Sequence, residues 1–238
     1  MVAVGRRHLP RGWSDLGRQL AIWFGFAVLY QLARGIADRN PSRAFANGYA
    51  VINFETRVTH RLYELTFQNF VDQRHVLETI VAWTYWNSEF TVVGLAVLWV
   101  YLRRHEAFRR FRNSILLANM IGLVGYVLVP TAPPRLLGVG FVDSHRDGLV
   151  RLAANPYAAM PSLHAADALI VGIVLFSLCR NRWAKLLWAV WPVWVWFAVM
   201  ATGNHFWLDI IAGVAVAILA MTVVYNERIR RAFAARRT

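Results

Sequence analysis

The sequence predicts an all-α polytopic membrane protein: a six-transmembrane-helix bundle with an amphipathic outer-loop helix. Three observations predict it. Hydrophobic residues make up 58% of the 238-residue chain and charged residues only 16%, against about 45–50% apolar and about 25% charged in soluble domains. Apolar stretches of near-membrane length recur six times along the chain. The basic residues, which give a formal net charge of +13, gather in short segments between and beyond those stretches. This composition excludes an ordinary soluble domain, a disordered chain and a disulfide scaffold. The single cysteine, Cys179, excludes an intrachain disulfide and a Cys-based metal site. The charge distribution speaks for membrane lipids as partners and against nucleic acid.

The elements follow in order. A basic tail, residues 1–19, leads into the first stretch, 20–37. No A-x-A-like exit follows it, so it reads as a retained helix rather than a cleaved signal. In the loop 38–74, Val51, Phe54, Val58, Leu62 and Leu65 recur at three- and four-residue spacing, with Glu55, Arg57, Arg61 and Glu64 between them. That spacing predicts an amphipathic helix, lying in the membrane interface or packed on the bundle as a lid. The second to sixth stretches are 83–102, 114–129, 165–179, 183–201 and 205–225. The third and fourth are short, which tilt or local bilayer thinning accommodates. The fifth carries Trp183, Trp188, Trp191, Trp194 and Trp196, the first suited to an interfacial belt. Pro192 predicts a kink in it. No internal repeat divides the chain, so one membrane domain covers 1–238, with a bundle over 20–225 and a basic tail over 226–238.

Orientation follows from the positive charges. Arg6, Arg7, Arg11 and Arg18 lie in the first tail. Arg103, Arg104, Arg109, Arg110 and Arg112 lie between stretches two and three. Arg180, Arg182 and Lys185 lie between four and five, and Arg228, Arg230, Arg231, Arg236 and Arg237 in the last tail. The positive-inside rule places these patches and both termini in the cytoplasm. The loops 38–74 and 130–161 then face the extracytoplasmic side of the cell membrane.

Polar groups at membrane depth are costly and so are candidates for function. Three clusters stand out, and the topology puts all three at the outer face: Pro130-Thr131-Ala132-Pro133-Pro134-Arg135, then 155–164, then 202–209. His205 and Asp209 are four apart and share a helical face. Such a carboxylate orients an imidazole and stabilises its cation; the same pair is equally compatible with helix capping. His164 opens a different helix and supplies a second imidazole. Two imidazoles flanking a phosphorus centre suit nucleophilic displacement, one attacking and the other protonating the leaving oxygen. Arg135 offers a fork of donors to phosphate oxygens. Backbone amides around Ser162–His164 and around Gly203, Asn204 and His205 offer a further anion site. Asp167, three residues after His164, either tunes it or is a hydrogen-bonded structural acid. Glu89 either binds a headgroup or moves protons, or pairs with a neighbouring helix. Asn155 and Tyr157 shape the turn before the second cluster.

The sequence Pro161-Ser162-Leu163-His164, followed by Gly203-Asn204-His205-x-x-x-Asp209, resembles the second and third motifs of the type-2 phosphatidic acid phosphatase superfamily. The upstream segment ending at Arg135 resembles the branch of inositol-phosphoceramide synthases and their bacterial relatives. The resemblance covers about residues 47–225. It implies metal-independent, cofactor-free, two-step phosphoryl transfer on a lipid phosphate or phospholipid headgroup. His205 would be the nucleophile that forms a phosphohistidine. Asp209 would activate it. His164 would act as acid, then as base on water or a polar alcohol acceptor, and Arg135 would bind phosphate. The chain departs from the usual motifs at Leu128, Leu136, Leu163 and Val199, which stand where Lys, Pro, Gly and Arg are usual. The cradle is therefore poor in cations, which favours the transferase-like branch or a substitute such as Arg146 or Arg151. A polyprenyl diphosphate phosphatase of cell-envelope synthesis is the enzyme alternative. A small transporter or lipid-handling protein is the alternative from another class.

Overall fold

The computed structural model describes residues 9–37, 40–141 and 157–226. Among these the regular structure is helical, with one isolated bridge joining Thr131 to Ala158. Helix α1 (Gly12–Ala37) precedes two outer-loop helices, α2 (Pro41–Thr59) and α3 (Tyr63–Asp72). Helix α4 (His75–Asn87), a π-helical segment (Ser88–Val92) and α5 (Val93–Arg103) run on from one another. Then come α6 (His105–Leu128), α7 (Leu163–Leu178), α8 (Arg182–Ala201) and α9 (Trp207–Tyr225).

Local chemistry sets these limits. Pro41 opens α2, and Asn40 caps it by accepting the Arg43 amide at 3.2 Å. His60, at φ 58°, ends it in the left-handed region. Ser162 Oγ caps α7 by accepting the Ala165 amide at 3.2 Å. Asn181 caps α8 through the amides of Trp183 and Ala184.

Three described helices are long and apolar enough to cross a membrane: α6, α8 and α9; α7 is a shorter apolar helix. The stretch 83–102 falls on α4, the π segment and α5. The π segment separates α4, of 13 residues, from α5, of 11, each too short to span alone. Helix α1 is 26 residues long but carries Asp15, Arg18 and Arg34. The sixth stretch becomes helical only at Trp207, because 202–206 form a turn with Gly203 at φ +65°.

The outer loop differs from the expected single helix with Val51, Phe54 and Val58 inward. It folds as two helices broken at His60. Val51 is buried, but Phe54 and Val58 are exposed, while Glu55 and Glu64 are fully buried. The cause lies at the start of α9, described below.

The core gathers on α7, which packs against α6, α8 and α9. Phe111, Ile115, Ile170, Val171 and Ala217 fill it. Phe24, Leu95, Val193, Ile211 and Ile218 point outward, as lipid-facing positions do. Helix α9 comes very close to the segment leading into α7: a Cβ at Gly213 would lie 2.2 Å from the Ser162 carbonyl oxygen. The Ser162 amide in turn donates to the Asp209 carbonyl at 3.0 Å. This contact joins the two histidine-bearing segments.

Candidate active site

Several segments distant in sequence converge on one cavity of about 370 Å³, a volume typical of small-ligand pockets. Arg135, His164, His205, Asn204, Glu89 and Asp167 line its polar end. Trp23 and Phe26 of α1, with Phe90, Val93 and Ile115, make an apolar wall.

Backbone pairing builds the polar end. The Thr131 amide donates to the Tyr157 carbonyl at 2.9 Å and the Ala159 amide to the Thr131 carbonyl at 3.2 Å. The Arg135 amide donates to the Gly203 carbonyl at 2.9 Å. Positive φ at Gly203 suits this turn, and a Cβ there would also crowd Phe141 and Arg135. Arg135 Nε donates to Asn204 Oδ1 at 2.8 Å, and Asn204 Nδ2 donates to Thr202 Oγ1 at 2.9 Å. That contact uses one of the five guanidinium donors. Asn204 thus aims Arg135.

His205 is nearly buried. Its Nδ1 lies 2.9 Å from the Ala159 carbonyl oxygen. A carbonyl only accepts, so Nδ1 carries the hydrogen and Nε2 keeps the lone pair. Asp209 Oδ2 lies 3.5 Å from the same Nδ1 but accepts the Phe206 amide at 2.8 Å. Asp209 therefore caps α9 and stands beside the imidazole.

His164 sits across the cavity, with ring centroids 5.5 Å from those of His205. It stacks on Tyr85 at 4.7 Å and 18°. Its Nε2 is 3.2 Å from Glu89 Oε2. Glu89 comes from the π segment, an irregularity frequent at functional sites because it re-aims side chains. Glu89 thus lines the cavity and also pairs with a histidine of a neighbouring helix. Asp167 faces Asn119 instead of His164: both its oxygens lie 3.0 Å from Asn119 Nδ2.

Four of the backbone amides expected to face an anion are engaged inside the fold. The amide of Ser162 donates to Asp209, that of Gly203 to Met200, and those of Asn204 and His205 to Val199. These donors sit in a tight, buried turn, where each needs an internal acceptor. Ser162 and Gly203 thus hold the scaffold of the two histidine-bearing segments. Arg146, Arg151 and Asn155 lie outside the described residues.

Sequence reasoning missed Tyr85, the Ala159 carbonyl, Asn119, and the acids Glu55 and Glu64 as site-building groups. Asn119 carried a readable signal, an amide midway along an apolar stretch. A carbonyl contributed by a loop carries none.

A family model described as the PAP2 superfamily matches residues 50–223. The chain belongs to the PAP2 superfamily. Its apolar helices α6, α8 and α9 fit association with a membrane. A phosphoinositol dihydroceramide synthase of Bacteroides thetaiotaomicron is 27% identical over 141 residues, 50% of this chain and 46% of that protein. This chain thus matches less than half the length of that relative. The crystal structure of Aquifex aeolicus LpxE superposes with a TM-score of 0.55 at 17% identity, over 67% of this chain and 92% of that one. That likeness is one of fold.

Two of the four departures from the usual PAP2 motifs, Leu163 and Val199, are built into the packing of the bundle. Leu163 packs on α6 at Gly122, where an added Cβ would meet Leu163 Cδ2 at 2.5 Å. Val199 is fully buried among Tyr85, Ala165 and Val195, and its carbonyl closes the 202–205 turn. An arginine side chain at 199 would have to enter this apolar core.

Proposed function

We propose that this PAP2 enzyme cleaves a lipid phosphate or phospholipid headgroup at the outer membrane face through a phosphohistidine on His205. The observation that carries the reading is the His205 tautomer. Nδ1–H is held by the Ala159 carbonyl, which leaves Nε2 as the nucleophilic atom. In the first step Nε2 attacks phosphorus while His164 gives its proton to the leaving oxygen. In the second, His164 takes a proton from water or an alcohol, whose oxygen attacks the phosphohistidine and frees Nε2. The Asp209 charge stabilises the imidazolium character of His205 in both steps. Glu89 does the same for protonated His164, and Arg135, aimed by Asn204, binds phosphate oxygens. Neither step calls on a metal.

The similarity to a phosphoinositol dihydroceramide synthase and the cation-poor cradle support an alcohol as second-step acceptor. The apolar wall beside the histidines supports a lipid as donor. The whole chain forms one membrane domain whose six spans include α1 and the α4–α5 run, with both termini cytoplasmic.

The test uses purified protein in detergent with labelled lipid phosphates and phospholipids, with and without inositol and other alcohols. A new phosphodiester identifies transfer, and inorganic phosphate alone identifies hydrolysis. His205→Ala should abolish both products while the protein still folds. Full activity in that variant would remove the nucleophile assignment.

A further inference from the structure

A helix leaves its first amides without partners in its own turn. At α9 that end is buried, so each amide needs an acceptor from elsewhere. The Phe206 amide donates to Asp209 Oδ2 at 2.8 Å, the Trp207 amide to Glu64 Oε1 at 2.7 Å, and the Leu208 amide to Glu55 Oε1 at 2.9 Å. Three consecutive amides thus meet three carboxyl groups from three helices. Asp209 belongs to the helix itself. Glu55 and Glu64 arrive from α2 and α3, more than a hundred residues earlier in the chain. All three side chains are fully buried.

Each carboxyl also keeps one oxygen with no donor among the described residues: Glu55 Oε2, Glu64 Oε2 and Asp209 Oδ1. Glu55 and Glu64 bind the consecutive amides of Leu208 and Trp207, which makes their buried carboxyls neighbours. Two ionised carboxylates have no hydrogen to share, whereas one retained proton supplies a donor between them. Burial, then the neighbouring Glu64 charge, pushes Glu55 up to about 9. Burial likewise raises Glu64. Asp209 is the further charge that acts on both, and it acts in the same direction.

We propose that Glu55 and Glu64 form a proton-sharing carboxyl pair that positions the head of α9, and with it His205 and Asp209, for phosphoryl transfer. Both are positioning residues, since they act through the helix backbone. With one proton between them the pair carries one negative charge and accepts two amides. When hydroxide takes that proton, a second charge appears beside the first and beside Asp209. Repulsion then loosens the junction of α2 and α3 with α9. The proposal rests on the reading of His205 as nucleophile.

The experiment measures kcat and KM for a lipid phosphate against pH in the wild type, the double variant E55Q/E64Q and Glu64→Ala. Glutamine keeps an amide acceptor, brings its own donor and has no proton to lose. The ratio of wild-type to E55Q/E64Q kcat cancels every titration the two share, His164 included. That ratio should fall about fivefold from about pH 7 to about pH 10, as the wild-type pair ionises. Glu64→Ala, which leaves the Trp207 amide without its acceptor, should lose about tenfold in kcat with KM nearly unchanged, and Glu64→Gln should restore most of it. A ratio that stays flat with pH overturns the proposal, as does an equal loss in Gln and Ala variants. If the alanine variant does not fold, the ratio alone decides. A fully active His205→Ala would remove the reading of the nucleophile instead. The pair is then judged by thermal unfolding. A group raised from 4.5 to about 9 on folding makes the wild type lose stability relative to E55Q/E64Q as pH rises through that window. Parallel unfolding profiles would overturn the pair on that reading as well.

Discussion

At His205, one hydrogen position decides the chemistry. The Ala159 carbonyl at 2.9 Å holds the hydrogen on Nδ1, and everything proposed for Nε2 depends on it. The residue types were legible in the sequence: the His–Asp spacing, the second histidine and Arg135 all follow from residue identity. The partners were not. Glu89 was readable as a costly acid at membrane depth, but its distance of 3.2 Å to His164 exists only because the π segment packs on α7. Its removal tests that contact. Glu89→Gln keeps the shape and withdraws the charge that supports a protonated His164. It should lower kcat by about tenfold or more while KM for the lipid phosphate changes little. A KM effect with kcat intact would return Glu89 to headgroup binding.

Elements show where periodicity misleads. The apolar spacing in 51–65 correctly announced helix in the outer loop, yet its inward face includes Glu55 and Glu64. Hydrophobic period assumes that an inward face meets apolar surface. Here it meets the buried start of α9, where unpaired amides demand acceptors, and the local pattern cannot announce a demand set by a distant helix. The contact between α9 and the segment before α7 belongs to the same scale. At Gly213 an added methyl would reach backbone, the Ser162 carbonyl, at 2.2 Å. Gly213→Ala should therefore destabilise by about 2–3 kcal/mol and reduce activity, by shifting Ser162–His164 relative to Asp209. Gly94→Ala, which meets nothing within 4 Å, should leave stability unchanged or raise it by about 0.5 kcal/mol. Thermal unfolding of both variants in one detergent checks the contrast; equal effects would deny the tight junction.

Over the whole molecule, the basic patches define the proposed orientation. In a background with Cys179 replaced by alanine, Arg57→Cys on α2 should react with a membrane-impermeant maleimide in intact cells. Arg109→Cys on α6 should react only after permeabilisation. The opposite pattern would invert the orientation and move the candidate site to the cytoplasmic face.

Composition by itself determined the apolar solvent of this chain and its helical class. The two histidine motifs determined its superfamily. These properties are additive along the chain: each residue contributes its own transfer cost, charge or reactive atom wherever it lies. The tertiary structure decided the rest. It placed the Ala159 carbonyl on His205, Glu89 on His164, Asn119 on Asp167, and two glutamates at the start of α9. Hydrogen bonds of a few ångströms join residues up to 153 positions apart, and only packing brings such partners within reach.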